Sequence, residues 1–96
     1  MDKTVFRVYP SGEVIALFPQ IAAQVGGYLC ESYMHIGQHG AADTHIVVGQ
    51  TRLATQEEYQ PLLEELEQIG FNPIPAKRCT RFDYEIRRKQ AERWIK

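Results

Sequence analysis

Residues 5–18 read VFRVYPSGEVIALF, two apolar runs joined by a Pro-Ser-Gly turn. Both runs are rich in β-branched and aromatic residues, which predicts a β-hairpin with strands over residues 5–9 and 13–18. A two-residue loop at Ser11-Gly12 would place Val8 opposite Ile15. Because a slip of one residue would move every apolar side chain to the other face, the pattern favours this register.

Two further strands are predicted downstream, over residues 28–36 and 44–50, on either side of a loop of small residues at 37–43. If these strands pair around that loop, Met34 faces Ile46. The same register places His35 opposite His45 on the other face, with Cβ atoms about 5 Å apart.

The second half of the chain carries two helix signals. Thr55 to Glu58 forms a capping box, and an apolar stripe at helical spacing follows as far as Ile69. Pro61 lacks the amide that a continuous helix would use, so either the first turn is distorted or the regular helix begins near Gln60. Residues 71–79 contain two prolines and are predicted to be extended, at most an edge strand, and residues 81–95 to form a second helix.

These elements predict a single α+β domain over residues 1–96. Its architecture would be a four-stranded antiparallel β-meander covered on one face by two helices, in the order β-β-β-β-α-(β)-α. A chain of 96 residues can bury about two-thirds of its unfolded surface, which is enough for one core.

The composition and the first residues of the chain indicate its expected cellular location. No run approaches the roughly 20 apolar residues that cross a bilayer, and the N-terminus lacks the apolar stretch of a signal peptide. A cytoplasmic location without membrane contact is therefore expected. Cys30 and Cys79 are expected to be reduced thiols, and the sequence predicts no cofactor.

The net charge of −1 conceals an uneven distribution. Residues 77–96 hold eight basic and three acidic side chains, a net +5, which leaves −6 on the first 76 residues. The basic tail is centred on Arg87, Arg88, Lys89 and Arg93. It indicates an anionic partner or contact between the two parts of the fold, and a solvated helix face is the simpler interpretation.

One face of the predicted sheet mixes cationic and aromatic groups and is a candidate binding surface. Its residues are Arg7, Tyr9, Glu31, Tyr33, His35 and His45. Aromatic side chains on an open sheet can stack unpaired bases, so this face and the basic tail together suggest a nucleic-acid binder. The acidic body of the chain and the lack of an RNP-like sequence argue for an ordinary sheet face or a protein contact instead.

The histidines form a third candidate. His35, His39 and His45, with Glu31 on the same face, could bind Zn²⁺, or one imidazole could act as a general base oriented by Glu31. Their spacing matches no tight motif, and half-exposed histidines with local hydrogen bonds are the simpler interpretation. The loop around Gly37 and Gly40 could direct amides at an anion, although turn geometry explains these glycines equally well.

Four segments resemble a group of small uncharacterised proteins from bacterial mobile elements, phages and plasmids. They are ESYMHIGQHG at 31–40, GEVIALFP at 12–19, QEEY at 56–59 and LEELEQIG at 63–70. The group has no established activity, so no catalytic residue is assigned from it. The resemblance implies a bacterial accessory protein that acts on host machinery or supports the element.

The leading hypothesis is a small non-enzymatic binding protein that engages a protein partner through an exposed sheet face or a helix. Such a protein could bind its partner through a free sheet edge, or form a homodimer across that edge. A nucleic-acid-binding module is the second hypothesis, and a His-based or metal-dependent enzyme is the third.

Overall fold

The computed structural model describes residues 1–95 and confirms the α+β class. Its elements are β1 (Asp2–Val8), β2 (Val14–Ala22), β3 (Cys30–Met34), β4 (Gln38–Ala42), α1 (Thr44–Gln50), β5 (Arg52–Leu53), α2 (Gln56–Gln68), β6 (Pro73–Ala76), α3 (Arg81–Glu92) and a 3₁₀ turn (Arg93–Ile95). The predicted antiparallel meander is present in the spatial order β4-β3-β2-β1. β5 and β6 lie along the outer edge of β1, antiparallel and parallel to it respectively, so the predicted edge strand is confirmed.

The β1–β2 hairpin differs from the prediction by one residue. Val8 pairs with Val14, and the loop has three residues, closed by a 2.8 Å bond from the Gly12 amide to the Tyr9 carbonyl. Gly12 has a φ of +92°, the left-handed conformation that a three-residue loop of this kind uses at its last position. The shift puts Val8 and Ile15 on opposite faces of the sheet.

Helices cover both faces of the sheet, whereas the sequence pattern indicates cover on one face. The first core cluster joins α2 to one face and includes Phe6, Val8, Ala16, Phe18, Tyr33, Leu62 and Leu66. The second lies on the other face beneath α1 and includes Val5, Ile15, Leu17, Cys30, Ala42 and Val47. The reason is visible in β2, where residues 15–18 are all buried, since a strand buried at successive positions needs cover on both sides.

Residues 44–50, predicted to be the fourth strand, form α1, and the fourth strand is β4, in the segment predicted to be a loop. The Asp43 carboxylate caps α1 by accepting bonds from the amides of His45 and Ile46, at 2.9 and 3.3 Å. At the other end, the Arg7 guanidinium donates to the Thr51 carbonyl at 2.7 Å. The run of β-branched residues Ile-Val-Val favours a strand, but the local cap from Asp43 and the tertiary cap from Arg7 stabilise a helix.

α2 begins at Gln56, as the capping box predicts, and Pro61 lies inside it. The Thr55 hydroxyl accepts a bond from the Glu58 amide, and the Glu58 carboxylate accepts one from the Thr55 amide at 2.9 Å. The Arg52 guanidinium donates two bonds to the same carboxylate and, with the Thr55 amide, lowers the pKa of Glu58 to about 2. The helix predicted over residues 81–95 is α3 followed by the 3₁₀ turn.

Candidate functional site

The structure does not bring the six predicted sheet-face residues together. Arg7 and Tyr9 lie on the face covered by α1 and α3, and Glu31 and Tyr33 lie on the α2 face, because the pairing with β2 fixes their parity. Arg7 is engaged at the end of α1, and Tyr33 is buried. These residues therefore do not form one accessible surface.

The three histidines are also separated. His35 lies in the turn after β3 and contacts α2, His39 lies in β4 against the ring of Tyr33, and His45 lies in α1 on the opposite face. The predicted opposition of His35 and His45 is wrong, because the segment carrying His45 is helical and Met34 pairs with Gln38 instead of Ile46. Across residues 1–95, no three His, Cys, Asp or Glu side chains are grouped so that they could hold a metal ion.

The β3–β4 turn is held by Glu65 of α2. Its carboxylate accepts bonds from the Tyr33 hydroxyl and, at 2.9 Å, from the Ile36 amide, and His35 Nδ1 lies 2.5 Å from it. The hydroxyl of Tyr33 in turn accepts a 2.9 Å bond from the Gly37 amide. Hydrogen bonds from Tyr33, His35 and Ile36 hold the pKa of Glu65 below its ordinary value, and the bond to Glu65 raises the pKa of Tyr33.

A carboxylate bound to one imidazole nitrogen can orient the ring; the carboxylate beside His35 is that of Glu65, whereas the sequence predicted Glu31. The Tyr33 hydroxyl donates a hydrogen bond to the Glu65 carboxylate, and the raised pKa of Tyr33 keeps the phenol protonated. The three side chains therefore fix the turn and do not prepare Tyr33 as a nucleophile. Sequence reasoning missed Glu65 because only the tertiary fold places it beside Tyr33.

Ile36 is the conformational outlier of this turn. It has a φ of +61°, a region that β-branched residues rarely adopt and that costs about 1–3 kcal/mol. Its side chain is nevertheless 77% exposed. The hydrogen bonds that the Ile36 and Gly37 amides donate to Glu65 and Tyr33 offset this cost, and the result is an apolar side chain presented at the tip of the hairpin.

β4 is an unprotected edge strand. It pairs with β3 on one side, and its first four residues are exposed. The strand contains no charged residue and no proline, which are the devices that natural sheets use to protect an edge. Within the part of the chain that the structure describes, its backbone bonds beyond the β3 ladder are limited to one local bond, from the His39 amide to the Gly37 carbonyl at 3.0 Å.

The basic tail divides into structural and exposed residues. Arg87 is 3% exposed and donates to the carbonyls of Pro19 at 2.6 Å and Gly27 at 2.8 Å, so it ties α3 to β2 and to the loop before β3. Arg88 is partly buried against aromatic rings, whereas Lys89 and Arg93 are exposed. Lys96 lies outside the described residues.

A groove of about 570 Å³ opens between the start of α1, the loop before β3 and the start of α3. We call it the Tyr28–Tyr84 groove; its lining includes Tyr28, His45, Cys79, Arg81, Tyr84 and Arg87. The sequence pattern indicated His45 as part of the sheet face and the histidine group, and Arg87 as part of the basic tail. It missed the two tyrosines and Arg81, because three separate segments meet there only in the folded chain.

Both cysteines behave as expected for inert thiols. Burial raises the pKa of Cys30 to about 12 and also raises the pKa of Cys79, so each stays protonated near neutral pH. Both are free, and Cys79 reaches the groove without being activated for attack.

None of the helices in residues 1–95 is long and apolar enough to cross a membrane. Comparison of the chain with protein-family models, with curated proteins and with solved structures gave no match. No property of a relative therefore bears on the function of this chain.

Proposed function

We propose that this chain is a small, non-enzymatic, cytoplasmic binding protein that acts through protein–protein interaction, with the free edge of β4 as its contact surface. The occupant that we propose for this edge is a second copy of the chain. The accessory role in a bacterial mobile element that the resemblance implies belongs to the same proposal.

The observation that carries the proposal is the difference between the two edges of the sheet. The outer side of β1 is covered by β5 and β6, whereas β4 ends the sheet with four exposed residues and contains no Asp, Glu, Lys, Arg or Pro. An antiparallel strand directs about half of its backbone N–H and C=O groups away from its neighbour. Unless such an edge is blocked, those groups favour pairing with another strand.

Self-complementarity favours a second copy over an unrelated strand. Antiparallel pairing of two β4 strands centred on Gly40 brings the Ile36 end of one strand to the start of α1 in the other. Ile36 is 77% exposed at the tip of the β3–β4 turn, so each copy would place an apolar side chain beside the paired strands. The formal net charge of −1 per chain produces little repulsion between copies.

Sedimentation velocity over a concentration series tests the proposal. We expect the wild-type chain to approach twice its 11.1 kDa mass as concentration rises. Ala41→Lys should remain monomeric, because a charged side chain on an edge strand opposes pairing. Ile36→Asn should also weaken association while relieving the strained backbone, so that its free energy of unfolding as a monomer rises.

Gln68→Lys is the matched control, since it adds the same charge at an exposed position near the end of α2. It should associate like the wild type. A constant 11.1 kDa species at every concentration would refute the proposal, and so would equal dissociation in the Ala41→Lys and Gln68→Lys variants.

A further inference from the structure

The Tyr28–Tyr84 groove combines aromatic rings with guanidinium groups. The Arg88 guanidinium lies 5.6 Å from the centre of the Tyr28 ring and 5.8 Å from that of Tyr84, and it donates to the Tyr84 hydroxyl at 3.1 Å. The contacts are within cation–π range. Tyr28 is nevertheless 64% exposed, so much of its ring is open to a further planar group.

The charge at the base of the groove is only partly balanced. Arg87 lines it and makes its hydrogen bonds to the carbonyls of Gly27, Pro19 and Tyr28. A carbonyl satisfies a donor without neutralising a cation, and no carboxylate of residues 1–95 lies within ion-pair distance of Arg87. Five N–H groups belong to a guanidinium, so donors remain for a further acceptor.

Arg81 adds a second positive charge to the groove. Arg81 pairs only weakly with Glu85, at 3.6 Å between two exposed side chains. The one carboxylate in the lining, Asp43, accepts bonds from the amides at the start of α1 and offsets only one of the two guanidinium charges. His45 lies on the same wall, where a ring N–H of its imidazole can donate a hydrogen bond to an anion.

We infer that this groove binds a nucleotide, with the base stacked on Tyr28 and the phosphate contacted by Arg81 and His45 above the buried charge of Arg87. A volume of about 570 Å³ is within the range of small-molecule sites. Stacking on an aromatic ring beside arginine is how proteins commonly hold unpaired bases. The ligand chemistry is an aromatic base that carries a phosphate, supplied either as a free mononucleotide or as one unit of a single strand.

Amide chemical shifts of the full chain, titrated with adenosine and uridine monophosphate and separately with a short oligouridylate, test the inference. We expect saturable shifts at residues 28, 44, 45, 80 and 81. Response to the mononucleotides identifies a free-nucleotide site, and response to the oligonucleotide alone identifies a single-strand site. The absence of saturable shifts at these amides with every probe would overturn the inference.

Variants then assign the contacts. Tyr28→Ala should weaken binding roughly 5- to 150-fold, the range for loss of one stacked base, whereas Tyr28→Phe should bind like the wild type. If the oligonucleotide binds, Arg81→Ala should reduce the magnitude of the slope of log K against log salt by roughly 0.7, and Arg93→Ala, at the far end of α3, should not. Unchanged binding in Tyr28→Ala would refute the stacking role. Because the site is on another part of the molecule, Ala41→Lys should retain it whether or not the chain dimerises.

Discussion

At the level of single residues, Glu65 holds the β3–β4 turn, although the sequence pattern did not suggest it. Its side chain, 20% exposed, contacts the strand end at Tyr33, the turn amide of Ile36 and the imidazole of His35. The turn amides have no helix or sheet ladder to satisfy them, so the carboxylate supplies the acceptor that the strained backbone needs. Ionisation of Glu65 and order in the β3–β4 turn should therefore be linked.

This linkage predicts a pH dependence of stability. Because the pKa of Glu65 is lower in the folded chain than its ordinary 4.5, its contribution is fully present above pH 4.5 and is lost as the pH falls through the folded value. Glu65→Gln should therefore be less stable than the wild type at neutral pH and should lose less stability on acidification. Thermal unfolding followed by circular dichroism between neutral and acid pH measures both effects.

Glu58, with a pKa lowered to about 2, also makes the folded chain less stable as the pH falls. The contribution of Glu65 is therefore obtained from the difference between the wild type and the Glu65→Gln variant. Glu67→Gln removes the same charge from an exposed position on the same helix and is the matched control. If Glu65→Gln and Glu67→Gln reduce the loss of stability at acid pH equally, the effect comes from net charge and the proposed link to the turn is wrong.

At the level of elements, local signals predicted correctly wherever the chain could stabilise an element by itself. α2 begins at Gln56, directly after the predicted capping box, because Thr55 and Glu58 cap each other within four residues of sequence; the alternative start near Gln60 is wrong. The strands of the first hairpin follow from their composition. Their register does not, because Gly12 permits a three-residue loop as readily as a two-residue one, and packing on both faces decides between them.

α1 shows why the rest could not be predicted. Its seven residues are too few to form a stable isolated helix, and their β-branched side chains favour a strand. The C-terminal carbonyls are held by Arg7, a residue of the first strand, which no local pattern could indicate. The candidate site depends on the same tertiary contacts. Because residues 44–50 form α1 and not the predicted strand, His45 lies apart from His35 and instead lines the Tyr28–Tyr84 groove.

The cap at Asp43 gives a direct test of α1. Asp43→Ala should lower the free energy of unfolding by about 1 kcal/mol, the usual cost of removing an N-cap acceptor. Hydrogen exchange should accelerate at amides 45 and 46, which bond to the Asp43 carboxylate. Asp43→Asn keeps an equally good N-cap acceptor and is the control. Equal exchange rates in the alanine and asparagine variants would show that the cap does not stabilise α1.

For the molecule as a whole, the uneven charge distribution is not resolved by ion pairs between the acidic body and the basic tail. Within residues 1–95, the one ion pair between these parts has the opposite polarity, from Lys3 of β1 to Asp83 of α3 at 2.5 Å. Although burial opposes ionisation of Asp83, bonds from Lys3, Gln20 and Thr80 lower its pKa. Most of the tail's positive charge therefore remains available to an external anion.

Arg87 is the buried cation among the side chains that attach α3 to the sheet, with Asp83 and Gln90, and it gives the last prediction. Gly27, with a φ of +75°, lets the loop approach so closely that an added Cβ would lie 3.0 Å from the Arg88 Cα. Arg87→Met should fill similar volume but leave the carbonyls of Pro19 and Gly27 without their donor, which should cost about 2–4 kcal/mol in urea unfolding. Arg88→Met, at the adjacent position, loses only cation–π contacts and one hydrogen bond in the partly exposed groove, so it should cost about 1 kcal/mol. Similar losses in the two variants would mean that α3 is held by its apolar contacts and general charge, and that the buried guanidinium has no special role.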